Sequence, residues 1–89
     1  MKRSFAQLTD TDRALESAIL ELLSRRGHGK TICPSEAARL VDPHGWQDLM
    51  VPVREAAARL VADGKIVITQ RARVVEPSRA MGAIRLRRT

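Results

Sequence analysis

Apolar residues in this chain follow two periods, and the change between them falls near Gly64. Before it, Leu15, Ala18, Ile19, Leu22 and Leu23 recur at spacings of three and four, as do Val53, Ala56, Ala57, Leu60 and Val61. After it, Ile66-Val67-Ile68 is a β-branched run, and Ala83-Ile84-Arg85-Leu86-Arg87 alternates apolar with charged. Spacing of three and four gathers side chains into one helical stripe, whereas alternation gathers them onto one face of a strand. A chain patterned this way builds helices first and closes with strands. That is an α+β order.

Local signals divide the pattern into elements. Thr9 and Asp12 have the spacing of a capping box, and Arg25-Arg26-Gly27 suits a helix end, so the first helix is predicted over 10–26. Gly27-His28-Gly29-Lys30 reads as a turn, and Thr31-Ile32-Cys33 as a brief strand, because the proline that follows pushes Cys33 to an extended conformation. A second helix over 34–41 opens at Pro34 or Ser35 with Glu36 in its first turn, and Asp42-Pro43-His44-Gly45 breaks it. A third helical region spans 46–63, with Pro52 in the first turn of a new piece and Gly64 at its end. Residues 66–70 read as a strand pairing with 83–87, and 71–82 as a basic loop in which Val74-Val75 is a candidate extended stretch.

This order describes a winged helix-turn-helix, three helices plus a small antiparallel β-ribbon. The alternative is a three-helix bundle with a disordered basic tail, against which the alternation at 83–87 stands. A flexible lead-in over 1–8 precedes a single domain over 9–89. The expected core is Leu15, Ile19, Leu22, Leu23, Leu40, Leu60, Ile66, Ile68, Ile84 and Leu86.

Composition narrows the class. With 89 residues, 44% of them hydrophobic and 29% charged, the chain supports one modest core and is too apolar for a disordered protein. No apolar run approaches the ~20 residues a membrane span needs. Met1-Lys2-Arg3 is not followed by the apolar stretch of a signal peptide, and a lone Cys33 forms no internal disulfide, so a cytoplasmic location is expected.

The net charge of +6 is unevenly placed. Residues 1–63 balance nine Lys/Arg against nine Asp/Glu, while residues 64–89 set Lys65, Arg71, Arg73, Arg79, Arg85, Arg87 and Arg88 against Glu76 alone. A one-sign patch draws a polyanion. Phe5 and Trp46 are the only aromatics, too few to stack single-stranded bases, so duplex is the favoured nucleic acid.

The run Gly29-Lys30-Thr31-Ile32-Cys33-Pro34-Ser35-Glu36 resembles a family of short bacterial proteins known only as a domain of unknown function. Trp46, Leu49-Met50, Val53-Arg54, Ala56-Ala57, Gly64, the Ile66-to-Gln70 strand and Gly82-Ala83-Ile84-Arg85-Leu86-Arg87 carry the same resemblance, over about residues 14–88. It implies a winged-helix fold and no activity. One position departs: the family pattern leads us to expect glycine near Ala72.

Other motifs carry little chemistry. Gly29-Lys30-Thr31 looks like the end of a phosphate-cradling loop, but Ser24 stands where the earlier glycine belongs and an extended Ile32-Cys33 follows. Cys33, His28 and His44 lack the paired spacing of a zinc site, so neither a metal nor a cofactor is expected. No catalytic residue is indicated, and the chain reads as non-enzymatic. Cys33 reads as a small buried hydrophobe and Trp46 as a packing residue.

Two functions remain. The first is a duplex-DNA-binding module, with transcription regulation as a fitting role. In it Arg71, Arg73 and Arg79 contact phosphate, and Arg54 and Arg59 on the third helix pair with guanine. The outward face of that helix is Glu55, Ala58, Arg59 and Ala62, bordered by Arg54 and Asp63, and it is not basic. That neutrality motivates the second function, a protein-interaction or assembly module.

Overall fold

The computed structural model describes residues 8–89, so the expected lead-in over 1–8 lies, Leu8 apart, outside the described residues. α1 spans Asp10–Arg26. Its capping box forms as the spacing predicts: the Asp12 N–H donates to Thr9 Oγ1, and the Thr9 N–H to the Asp12 carboxylate, both at 3.0 Å. β1 is the two-residue strand Thr31–Ile32. α2, Pro34–Val41, begins on a proline, where no N–H is needed, and the Glu36 carboxylate accepts from the Cys33 N–H at 2.7 Å. A 3₁₀ turn, Trp46–Leu49, leads into α3, Met50–Ala62. Pro52 therefore falls in the first turn of α3, where its missing donor costs nothing.

β2 (Ile66–Gln70), β3 (Arg73–Val75) and β4 (Arg85–Arg88) join β1 in one antiparallel sheet of order β1-β4-β2-β3. β2 and β4 pair as expected, Ile66 opposite Arg88 and Ile68 opposite Leu86. The expected ribbon is, however, only the centre of the sheet. β3 adds to β2, with Gln70 opposite Arg73, and β1 adds to β4, with Thr31 opposite Arg87. The segment 71–82 is accordingly more than a loop: it holds a tight turn, β3, and a 3₁₀ turn at Pro77–Arg79. The β-branched Val74-Val75 pair uses the free edge of β2, which would otherwise leave backbone donors unpaired.

Alternation sorts the sheet into two faces. Ile32, Ile66, Ile68 and Leu86 are buried on the face against which α1 and α3 pack, together with Leu15, Ile19, Leu23, Val53 and Leu60. Each such aliphatic side chain contributes about 1.5–3 kcal/mol by leaving water. Thr31, Val67, Thr69, Arg85 and Arg87 alternate to the other face, where Thr69 is nonetheless buried. Two core expectations are corrected. Leu22 is only half-buried, flanking the fully buried line Leu15-Ile19-Leu23. Leu40 is 44% exposed, because α2 buries Pro34, Ala37 and Ala38 and Leu40 lies about 110° around the helix from their centre.

Candidate nucleic-acid interface

The turn between β2 and β3 is two residues long, and both hold positive φ: 52° at Arg71 and 66° at Ala72. That pair of angles matches the right-handed twist of a hairpin and ordinarily selects glycine or asparagine. Here it presents the Arg71 side chain at the tip, with Arg73 beginning β3 and Arg79 in the 3₁₀ turn beyond it. All three are exposed. Among the described residues none of the three side chains is hydrogen-bonded or ion-paired, so each guanidinium keeps its donors for a ligand.

The two arginines of α3 are placed otherwise. Arg54 donates through Nη1 and Nη2 to the Gly82 carbonyl, at 3.1 Å through Nη1. Arg59 does not stand on a free outward face: its Nε meets Glu16 Oε2 at 2.6 Å, its Nη2 reaches the Asp12 carbonyl at 3.4 Å, and its side chain is 26% exposed. Helical angles place Arg59 away from the α3 stripe, but α1 lies alongside and supplies the carboxylate. Gln70 Nε2 donates to the carbonyls of Met81 and Ala83, at 2.5 and 3.0 Å. Arg54 and Gln70 thus tie the 81–83 segment to α3 and to the hairpin base. Arg71 and Met81 line one recess, next to the Gly82 carbonyl that Arg54 holds. Between α3 and the segment after β3 runs an apolar groove of about 270 Å³, lined by Val51, Ala58, Ile68, Pro77, Ala80 and Ile84, with Arg54 and Glu55 at its rim.

A second cationic cluster, which no sequence pattern had indicated, forms around Thr31. Arg85 Nε donates to Thr31 Oγ1 at 3.0 Å, and the Thr31 carbonyl accepts from Arg26 at 3.0 Å and from Arg85 at 3.4 Å. Arg26 also pairs with Glu36 at 2.6 Å. That hydrogen bond holds the Glu36 carboxyl below its usual range, opposed by partial burial and aided by the Cys33 N–H and the charge of Arg85. No local spacing signals this cluster, since Thr31 and Arg85 are 54 positions apart.

The remaining candidates stay apart. Trp46 is half-buried against the core edge, with the Arg39 guanidinium 4.3 Å from its ring centroid. Cys33 is half-buried rather than a core residue, and its sulfur accepts from Ser35 Oγ at 3.1 Å. Among the described residues no three His, Cys, Asp or Glu side chains converge as metal ligands would. No helix among them is long and apolar enough to cross a membrane.

Residues 12–89 match the family described as "Protein of unknown function (DUF3253)", which is most of the chain. A search of curated proteins gives no match.

Proposed function

The chain belongs to this family of unknown function, and we propose that it is a non-enzymatic winged-helix module that grips duplex DNA through its β2–β3 hairpin. The observation that carries the reading is the set of three exposed, unpartnered arginines, Arg71, Arg73 and Arg79, on the hairpin and the turn after it. The element order supports the winged-helix assignment, with α2 and α3 as the helix-turn-helix pair and β2–β3 as the wing. Phosphate contacts position a protein on a duplex without reading its sequence. Base readout by Arg54 or Arg59 would require giving up the Gly82 carbonyl or the Glu16 carboxylate. Affinity in this reading therefore comes from the wing, and sequence preference is weak. A DNA partner also implies the cytoplasm as the site of action, with transcription regulation as the fitting role.

The test is the salt dependence of binding to a short duplex, followed by fluorescence anisotropy. Removing one arginine–phosphate pairing flattens the slope of log K against log salt by about 0.9. Arg71→Ala combined with Arg73→Ala should weaken binding to every duplex alike and flatten the slope by nearly 2. The reading is overturned if the wild-type chain fails to bind at about 50 mM salt, where such pairings are strongest.

One observation favours the protein-interaction alternative: the apolar groove beside α3, with Val51 70% exposed at its margin. If duplex binding is absent, loss of a partner's binding on Val51→Glu would support that alternative.

A further inference from the structure

The Thr31 cluster gathers more positive charge than it neutralises. The Thr31 carbonyl accepts from both Arg26 and Arg85, so two guanidinium groups converge on one oxygen. Glu36 is the one carboxylate in this network, and it is engaged by Arg26. Arg87 lies directly opposite Thr31 in the sheet, and Lys30 precedes Thr31 in an exposed turn. Neither the Arg87 guanidinium nor the Lys30 ammonium has a hydrogen bond or ion pair among the described residues. Glu36 offsets one of these charges, and the remaining cations gain by a further anion among them. Arg85, meanwhile, is held in place by the Thr31 hydroxyl and carbonyl, which occupy two of its five donors. A fixed guanidinium with free donors, two residues along the strand from a second on the same face, is suited to an oxyanion such as phosphate.

We infer that the β1–β4 edge around Thr31, with Arg85, Arg87 and Lys30, is a second phosphate-contact site for the duplex held by the wing. The inference rests on the duplex-DNA reading above. β1 and β3 are the two edges of the sheet, about 14 Å apart at ordinary strand spacing, and the hairpin tip at Arg71 lies four residues further along β2 than Val67, which is level with Arg87 and Thr31. A duplex carries a charge about every 1.7 Å of its axis, so one molecule lying across the outer face of the sheet meets both edges. That outer face carries Thr31, Val67, Arg85 and Arg87, with Thr69 buried among them; of the carboxylates nearby, Glu36 is engaged by Arg26 and Glu76 shares a recess with Val67. α3, whose exposed surface includes Glu55, lies on the opposite side of the sheet from this second site.

The test uses the full chain and a duplex of about 20 base pairs, with affinity read across a salt series. Arg87→Ala should flatten the salt slope by about 0.9 and Arg87→Lys should keep it, since a lysine retains the charge. Lys30→Ala, in the turn outside the sheet, probes the same patch without disturbing strand pairing. Combined with the wing double substitution, Arg87→Ala should act additively on the slope. If Arg87→Ala and Lys30→Ala both keep the wild-type slope while the wing substitutions lower it, this second site is overturned and the wing reading stands. If the wild-type chain binds no duplex at low salt, both are overturned.

Discussion

Ala72 sits at a φ of 66°, where a Cβ crowds the neighbouring carbonyl and an L-residue other than glycine or asparagine is strained. Replacing it with glycine removes that crowding at a modest cost in unfolded-chain entropy. Ala72→Gly should therefore raise the urea midpoint at unchanged m-value, by about 1 kcal/mol in stability. The glycine expected near this position has a physical reason in the turn. Burial separates the leucines just as sharply. Leu23 is fully buried, and Leu23→Ala should cost about 2–5 kcal/mol. Leu40→Ala should stay within about 0.5 kcal/mol, as an exposed substitution does. Equal losses at the two positions in a denaturant titration would contradict the placement of α2.

At the level of elements, the ion pair between Arg26 and Glu36 links the end of α1 to the start of α2, across β1. Its folded-state carboxyl titrates below the unfolded one, so the pair stabilises the fold above the usual glutamate pKa of about 4.3. That contribution is lost as pH falls through the lowered folded value. Stability should accordingly fall as pH drops below about 4.3, and Glu36→Gln should flatten that limb by slightly lowering stability at neutral pH, where the ionised pair acts. Both side chains are about one-third exposed, and solvent screening keeps the effect small. The β2–β3 hairpin and the 81–83 segment form a second linked unit, held by Gln70 and Arg54.

Across the whole molecule, the charge asymmetry of the sequence resolves into two edges of one sheet. Arg71 and Arg73 mark the β3 edge, and Arg85, Arg87 and Lys30 the β1 edge. In the last turn of α1, Arg25 is paired with Glu21 at 2.8 Å. Arg25→Ala should leave duplex affinity and its salt slope unchanged, because that charge is already balanced within its own helix. A loss comparable to that of the wing substitutions would mean that net charge, rather than placement, governs binding.

The three helices, the capping box at Thr9 and the strand faces at 66–70 and 84–86 were legible in the sequence, because each depends on residues a few positions apart. Periodicity marks which side of an element is apolar, and caps act within one turn. The grouping of basic residues after residue 63 was legible for the same reason. Strand partners were harder to read: β1 is two residues long, and its pairing with β4 joins Thr31 to Arg87. Such pairing depends on closing a long loop, and its register is fixed by burial of Ile32 and Leu86 rather than by either strand's own pattern. The fates of the candidate arginines were decided the same way. A helical wheel puts Arg59 on the outward face of α3 and Arg54 at its border, yet both are already engaged, by partners 28 positions from Arg54 at Gly82 and 43 from Arg59 at Glu16. A side chain's freedom to meet a ligand depends on what the fold brings beside it, and only the tertiary structure supplies that.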